Sequence, residues 1–255
     1  MNRQQLRGVP DANWGQAIRG YSVHVYTATG LVFAFLAMAE VCGRSGAPRP
    51  QLVFLWLLVS VLIDATDGPL ARAWHVKAFA QRIDGRTIDD LVDYLTFTFI
   101  PLMLVWRMEW LPREAEPLLP IAMVASVFGF ANSAAKQENA GFFLGFPSYW
   151  NIYAFYVGLW VTQYGWSGRL FSAGVLALLS LLSVLPIRFL YPNLAPGVWR
   201  IPVLLGAAVW TVLLLLMLWS YPDDVSPALY WLSLVYPAFY TLLSMYLDAA
   251  ARLAK

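Results

Sequence analysis

Six of the 15 acidic residues in this 255-residue chain, Asp64, Asp67, Asp84, Asp89, Asp90 and Asp93, fall between positions 64 and 93, and none of the six is Glu. Asp holds its carboxylate on a short stem, which suits a fixed metal cage better than a pliable ion pair. Asp64, Asp67, Gly68 and Ala71 follow the i, i+3, i+4, i+7 rule and share one helical face. Gly85, Asp89 and Asp93 are four apart and line a face of the next helix. Two Asp pairs on consecutive helices can converge on one point. Four carboxylates together repel unless cations sit among them, and hard oxygen donors select Mg²⁺, Mn²⁺ or Ca²⁺ over zinc. The small Gly68, Ala71 and Gly85 leave room beside the cage for a flat base or a phosphate, and Arg72 adds a planar cation suited to phosphate. The chemistry implied is phosphoryl transfer on a metal-bound diphosphate. The plainer alternative, acids pairing with Arg72, Lys77, Arg82 and Arg86 at a membrane surface, does not require small residues in phase with the acids.

The elements that hold these residues must live in lipid. The chain is 60% hydrophobic and 13% charged, with a mean hydropathy of +0.59. That is too few charges for a water-facing surface. Span-length apolar segments lie near 22–42, 51–66, 87–106, 117–135, 149–165, 168–187, 201–219 and 228–247. The expected fold is therefore all-α, a polytopic bundle of eight transmembrane helices. Gly, Pro and charges cluster at the breaks, and no linker, low-complexity tract or fixed-period repeat divides the chain. One membrane-embedded domain over 1–255 is expected, with its catalytic motif at 64–93. A net charge of +2 with no run of like charge argues against a nucleic-acid partner. The lone Cys42 and the absence of a small-residue cleavage pattern argue against a disulfide-built secreted fold and a cleaved signal peptide.

An even number of spans puts both termini on one side of the membrane. On that side fall Arg3, Arg7, Arg19, Arg72, Lys77, Arg82, Arg86, Lys136, Arg188, Arg200, Arg252 and Lys255, leaving only Arg44, Arg49, Arg107, Arg113 and Arg169 opposite. The positive-inside rule then sets both termini and the acidic stretch on the cytoplasmic side.

The run Asp64-x-x-Asp67-Gly68-x-x-Ala71-Arg72, then Gly85-x-x-x-Asp89-x-x-x-Asp93, resembles the signature of the CDP-alcohol phosphotransferases. Most of that superfamily separates this Arg from the second Gly by fewer residues than the 12 found here, Ala73 to Asp84, a difference of about one helical turn. The longer spacing is similar to that of the bacterial phosphatidylcholine synthase branch, as is Phe142-Phe143-Leu144-Gly145-Phe146-Pro147-Ser148-Tyr149-Trp150-Asn151 in the fourth connection. The resemblance implies CDP-diacylglycerol plus choline giving phosphatidylcholine plus CMP, in a bacterial inner membrane. It also implies two divalent ions, Mn²⁺ or Mg²⁺, on Asp64, Asp67, Asp89 and Asp93, with Asp93 doubling as the base for the attacking hydroxyl. By the same resemblance Gly68, Ala71, Arg72 and Gly85 line the CMP half of the donor, and homodimers form.

Choline carries a permanent positive charge and no donor beyond its hydroxyl, so a specific pocket calls for aromatic faces and a carboxylate. The segment 138–153 offers Glu138, Tyr149, Trp150 and Asn151, although Trp and Tyr belts also serve as interfacial anchors. His24 and His75 read as polar anchors. Thr27 and Gly30 suit close helix packing or a nucleotide contact, and Asn132 and Lys136 a phosphate or lipid head group. Other acceptors, namely serine, inositol phosphate or glycerol phosphate, are the nearest alternative, but the phosphorylated ones call for basic residues where this chain has aromatics and Glu138. A membrane prenyltransferase keeps its two Asp motifs on well-separated helices. A cation transporter calls for carboxylates nearer the bilayer midplane and for broken helices or repeats.

Overall fold

Most of the long helices are apolar on every face, as befits elements with lipid rather than water around them. A computed structural model describes residues 14–44, 46–131, 136–137, 142–192 and 195–253. The protein is an all-α polytopic membrane bundle, with six helices long and apolar enough to cross a bilayer among the described residues. The first pairs α1 (Trp14–Ala28) with α2 (Gly30–Val41) across a turn at Thr29. Next come α3 (Pro50–Ala73), a short α4 (Val76–Phe79) and α5 (Gly85–Asp93). A six-residue π-helix, Tyr94–Phe99, joins α5 to α6 (Ile100–Arg107). After these follow α7 (Leu118–Ala131), β1 (Lys136–Gln137), β2 (Phe142–Leu144), α8 (Trp150–Val184), β3 (Arg188–Leu190), α9 (Arg200–Trp219) and α10 (Pro227–Leu253).

Two places depart from a simple reading of the apolar segments. From Gly85 to Arg107 the chain is helical throughout. Its first half carries Arg86, Asp89, Asp90 and Asp93, and these charges keep it out of the apolar set. The 35 residues of α8 are broken at Gly165, whose φ of 54° and ψ of −123° lie outside the helical region. Straight, such a helix would run about 50 Å. Yet its flanking strands pair, Leu144 with Arg188, and Phe146 donates its backbone N–H to Leu182. Tyr153 likewise donates to the Ser172 carbonyl at 2.9 Å. The two halves therefore fold back against each other, and Gly165 is the hairpin that lets them.

The three strands form one antiparallel sheet in the order β1-β2-β3, an element the apolar pattern does not foretell. Gly145, just past β2, has a φ of 87°. A Cβ there would sit 2.6 Å from the Ser183 carbonyl oxygen, so only glycine lets this segment cross the end of α8.

The first half of α8 is the hub. Trp150, Tyr153, Ala154, Phe155, Tyr156, Val157 and Leu159 are all buried, packed among α3, the π-helix, α6 and α7. Polar atoms inside the bundle are bonded across helices: Tyr156 donates to Ser233, Trp210 to Tyr156 and Tyr221 to the Phe155 carbonyl, at 2.9, 3.1 and 3.0 Å. In contrast, α9 turns Leu205, Val209, Val212 and Leu216 outward. That apolar exterior is stable only in lipid.

Close approach fixes α1 against the acidic region. A Cβ on Gly20 would meet Ala80 Cβ at 2.9 Å, one on Gly30 would meet Val92 Cγ1 at 2.6 Å, and one on Gly85 would meet His24 Cε1 at 2.6 Å. Three contacts at backbone distance thus key α1 and α2 to α4 and α5.

Candidate active site

Asp64 sits well along α3, and Asp89 and Asp93 lie one turn apart on α5. One carboxylate oxygen from each of the three lies within 4.8 Å of the other two, and all three residues are half-buried. At that spacing each pair of charges repels by at least roughly 3 kcal/mol at an effective dielectric of about 20. The group could hold a divalent cation, and its donors, all carboxylate oxygens with no His or Cys among them, fit a hard ion such as Mg²⁺ or Mn²⁺.

Asp67 is not one of the three. It is 8% exposed, and its Oδ2 accepts a hydrogen bond from the Thr27 hydroxyl of α1 at 2.7 Å. Helical phase separates the two neighbouring aspartates of α5. Asp89 joins the cluster, while Asp90 meets Arg86 at 3.6 Å, one turn back along the same helix. Asp84 caps α5, accepting from the Arg86 backbone at 3.1 Å and the Thr87 hydroxyl at 2.8 Å. The Thr87 bond, more than any other contact, holds this surface carboxyl below the usual carboxylate range. The cap starts α5 where Asp89 and Asp93 must stand.

The small residues divide into two sets. Beside Gly68 a Cβ would meet only the Arg72 guanidinium, at 3.4 Å, so the exposed Arg72 folds back over the space Gly68 leaves. Ala71 packs against the cluster of Val23, Val76 and Ala80, and Gly85 makes room for the His24 ring. Buried in this way, His24 keeps Nε2 without a hydrogen-bond partner among the described residues.

Of the residues offered for an acceptor pocket, Glu138 lies outside the described residues, as does Asn132, and Lys136 is described only in its backbone. Trp150 is 0% exposed and its ring N–H donates to Ser126 at 2.7 Å, so it fastens α8 to α7 rather than walling a pocket. Asn151 is buried, its side-chain oxygen accepting from the Ile152 backbone. Tyr149 stands nearer the acidic helix: its ring meets Phe97 of the π-helix, one turn past Asp93, at 6.1 Å. Tyr149 also borders an apolar cavity of about 260 Å³, walled by Phe54, Leu57, Phe97, Ile152 and Leu214.

No protein-family model matches the chain. Individual proteins do. It is 37% identical over 139 residues to the phosphatidylcholine synthase of Pseudomonas aeruginosa, covering 54% of this chain and 56% of that one. To the phosphatidylcholine synthase of Bradyrhizobium diazoefficiens it is 36% identical over 195 residues, 76% of this chain and 68% of the other. The similarity to the phosphatidylcholine synthase of Legionella pneumophila is 30% over 248 residues, 93% of this chain and 91% of its relative. The Pseudomonas match thus spans little more than half of either protein, but the Legionella match runs almost the length of both, and with it the chain belongs to the phosphatidylcholine synthase family.

Proposed function

We propose that the protein transfers a phosphatidyl group from CDP-diacylglycerol to choline, giving phosphatidylcholine and CMP. The observation that carries this reading is the meeting of Asp64, Asp89 and Asp93 from two helices at one point, in a chain of this family. These three, with Asp67 one turn along α3, would hold one or two divalent ions, Mn²⁺ or Mg²⁺. When bound, such ions neutralise the donor diphosphate and the departing CMP. Asp93 takes the proton from the choline hydroxyl. The oxygen so freed forms a bond to the lipid-side phosphorus as the bond from that phosphorus to the CMP oxygen breaks, and no covalent enzyme intermediate is needed. Arg72, folded over Gly68, would pair with the nucleotide phosphate in the space that Gly68 leaves. Ala71 and Gly85 act one step back, by letting α1 close on the site. The apolar cavity beside Tyr149 suits an acyl chain of the donor.

Eight spans fit this reading. To the apolar helices it adds the rod from Gly85 to Arg107, and it divides α8 at Gly165. With an even count both termini share the acidic site's side, and 12 of the 17 Lys and Arg residues fall there, which supports an inner-membrane enzyme working from the cytoplasmic face.

The test is CMP release by the purified protein in detergent with CDP-diacylglycerol and Mn²⁺, offering choline, serine, inositol phosphate and glycerol 3-phosphate separately. Turnover with choline alone, lost in Asp93→Asn, is the expected result. Turnover with a different acceptor would keep the chemistry and overturn the substrate, and no CMP with any acceptor would overturn the reaction.

A further inference from the structure

A cavity of about 360 Å³ opens where the Gly165 hairpin of α8 meets the start of α10. Five aromatic residues wall it, Trp160, Tyr164, Phe171, Tyr230 and Trp231. The cavity beside Tyr149 is lined instead largely by leucines, Leu57, Leu58, Leu214, Leu215 and Leu218. An aliphatic wall accepts any hydrocarbon, whereas the faces of aromatic rings carry partial negative charge and favour a cation. The aromatic cavity lies at the end of the bundle away from the acids. Gln51, in the first turn of α3, donates to the Trp219 carbonyl at the end of α9 at 3.1 Å, and a short turn then leads into α10. From Gln51 to Asp64 α3 runs about 20 Å.

The rings around this space stand as walls rather than as a stack. Trp160 and Phe171 meet edge to face, 4.8 Å apart and inclined by 78°, and Tyr230 and Trp231 do the same at 5.0 Å and 73°. The ring N–H of Trp160 donates to the Tyr230 hydroxyl, which fastens α8 to α10 and satisfies both polar groups. Tyr164, Phe171 and Trp231 are exposed on the outside of the bundle, so the cavity opens toward lipid. Interfacial anchors stand singly around a bundle. Here rings from both halves of α8 and from α10 enclose one space. Among the described residues no carboxylate lines it, so a cation held there must bring its own counter-charge. Arg169 directly follows Gly168 of the lining and is the one charged residue in α8. It is half-buried and makes no ion pair among the described residues. A charge on a spanning helix calls for an anionic partner. Cation-binding rings beside an unpaired arginine are the complement of a zwitterion, with a quaternary ammonium for the rings and a phosphate for the guanidinium.

We propose that this cavity binds the headgroup of a phosphatidylcholine molecule in the leaflet opposite the acidic site, with the trimethylammonium among the rings and the phosphate at Arg169. The transfer argued above enters only as the source of that lipid. Native mass spectrometry of the full-length protein in detergent, with dioctanoyl lipids titrated one at a time, tests the site. Phosphatidylcholine should bind more tightly than phosphatidylethanolamine or phosphatidylglycerol, neither of which has a methylated ammonium. Phe171→Leu and Trp231→Leu keep an apolar wall, change only exposed side chains and remove one ring each. Either should weaken phosphatidylcholine binding by roughly 2- to 30-fold, the worth of one cation–π face. Trp231→Phe, which keeps a ring, should lose less than Trp231→Leu, and Arg169→Gln should weaken binding by roughly 2- to 5-fold. Asp93→Asn, altered at the far end of the bundle, should keep the site, and the cavity variants should release CMP at rates near that of the wild type. Equal affinity for the three lipids would overturn the proposal, as would unaltered phosphatidylcholine binding in both Leu variants. Free choline lacks the phosphate and should compete poorly; displacement of the lipid by an equal concentration of choline would overturn a lipid occupant. If the wild type releases no CMP with choline, the proposed reaction falls, and the lipid titrations still decide the cavity by the same outcomes.

Discussion

Removing one carboxylate from the cluster should change stability in opposite directions with and without metal. In a chelator, Asp64, Asp89 and Asp93 repel pairwise, and Asp89→Asn deletes two of the three repulsions. At roughly 3 kcal/mol per pair the two repulsions sum to about 6 kcal/mol before screening by solvent, and screening at half-buried groups leaves an expected gain of about 1–3 kcal/mol. In a chain of this size each kcal/mol moves the melting temperature by about 2–4 °C. Asp89→Asn should therefore melt several degrees above the wild type in EDTA. Saturating Mn²⁺ should reverse the order: a ligand at a hundredfold over its Kd stabilises by about 2.7 kcal/mol, and the variant has lost one of its donors. The assay is a thermal melt of both proteins in the same detergent, with EDTA or with Mn²⁺, at low ionic strength. A variant that melts below the wild type in EDTA, or an equal Mn²⁺ shift in both, would refute the claim that these three carboxylates share one cation site.

Thr27→Val removes the hydrogen bond to the buried Asp67, and a bond to a charged group contributes about 1.5–3 kcal/mol, so this variant should lose melting temperature and need more Mn²⁺ for half-maximal activity. Gly85→Ala drives a Cβ into the His24 ring and should cost about 1–3 kcal/mol, with His24→Ala in the same chain restoring much of it; no rescue would sink the packing account. The Asp84 cap is pH-dependent in a known direction. Its carboxyl ionises more readily folded than unfolded, so its contribution is present at neutral pH and is lost as the pH falls below about 4. The stability difference between wild type and Asp84→Asn should accordingly narrow in acid, read from melts between pH 7 and pH 3.

The acidic site was legible in the sequence because helical period fixes which residues share a face. The spacing alone brought Asp89 rather than Asp90 into phase with Asp93, and Asp64 to the facing helix. Asp67 shows where that logic stops, since a shared face does not say which neighbour claims it, and Thr27 on α1 does. Hydropathy located the apolar segments, including both halves of α8, because lipid exposure demands apolar residues whatever the packing. It could not register the sheet, whose strands are two or three residues long and of which β2 and β3 pair across the whole of α8. Trp150 shows the same limit: next to Tyr149 in sequence it reads as pocket wall or interfacial belt, and only the fold ties its ring N–H to Ser126 of α7.

The π-helix Tyr94–Phe99 begins directly after Asp93 and ends where α6 enters the core. In an α-helix each residue advances the face by about 100°. A wide turn accommodates one residue more than its α-helical equivalent, so it acts as an angular offset between the carboxylates above it and Leu102, Leu104 and Val105 below, which are all fully buried. Shortening the segment by a single residue would leave either half correctly wound and still misalign them, swinging the acids about a quarter of a revolution from α3 or turning the core-facing residues toward lipid. The orientation of the site is thus set by the count of residues between two rigid halves, and that count tolerates substitution far better than deletion.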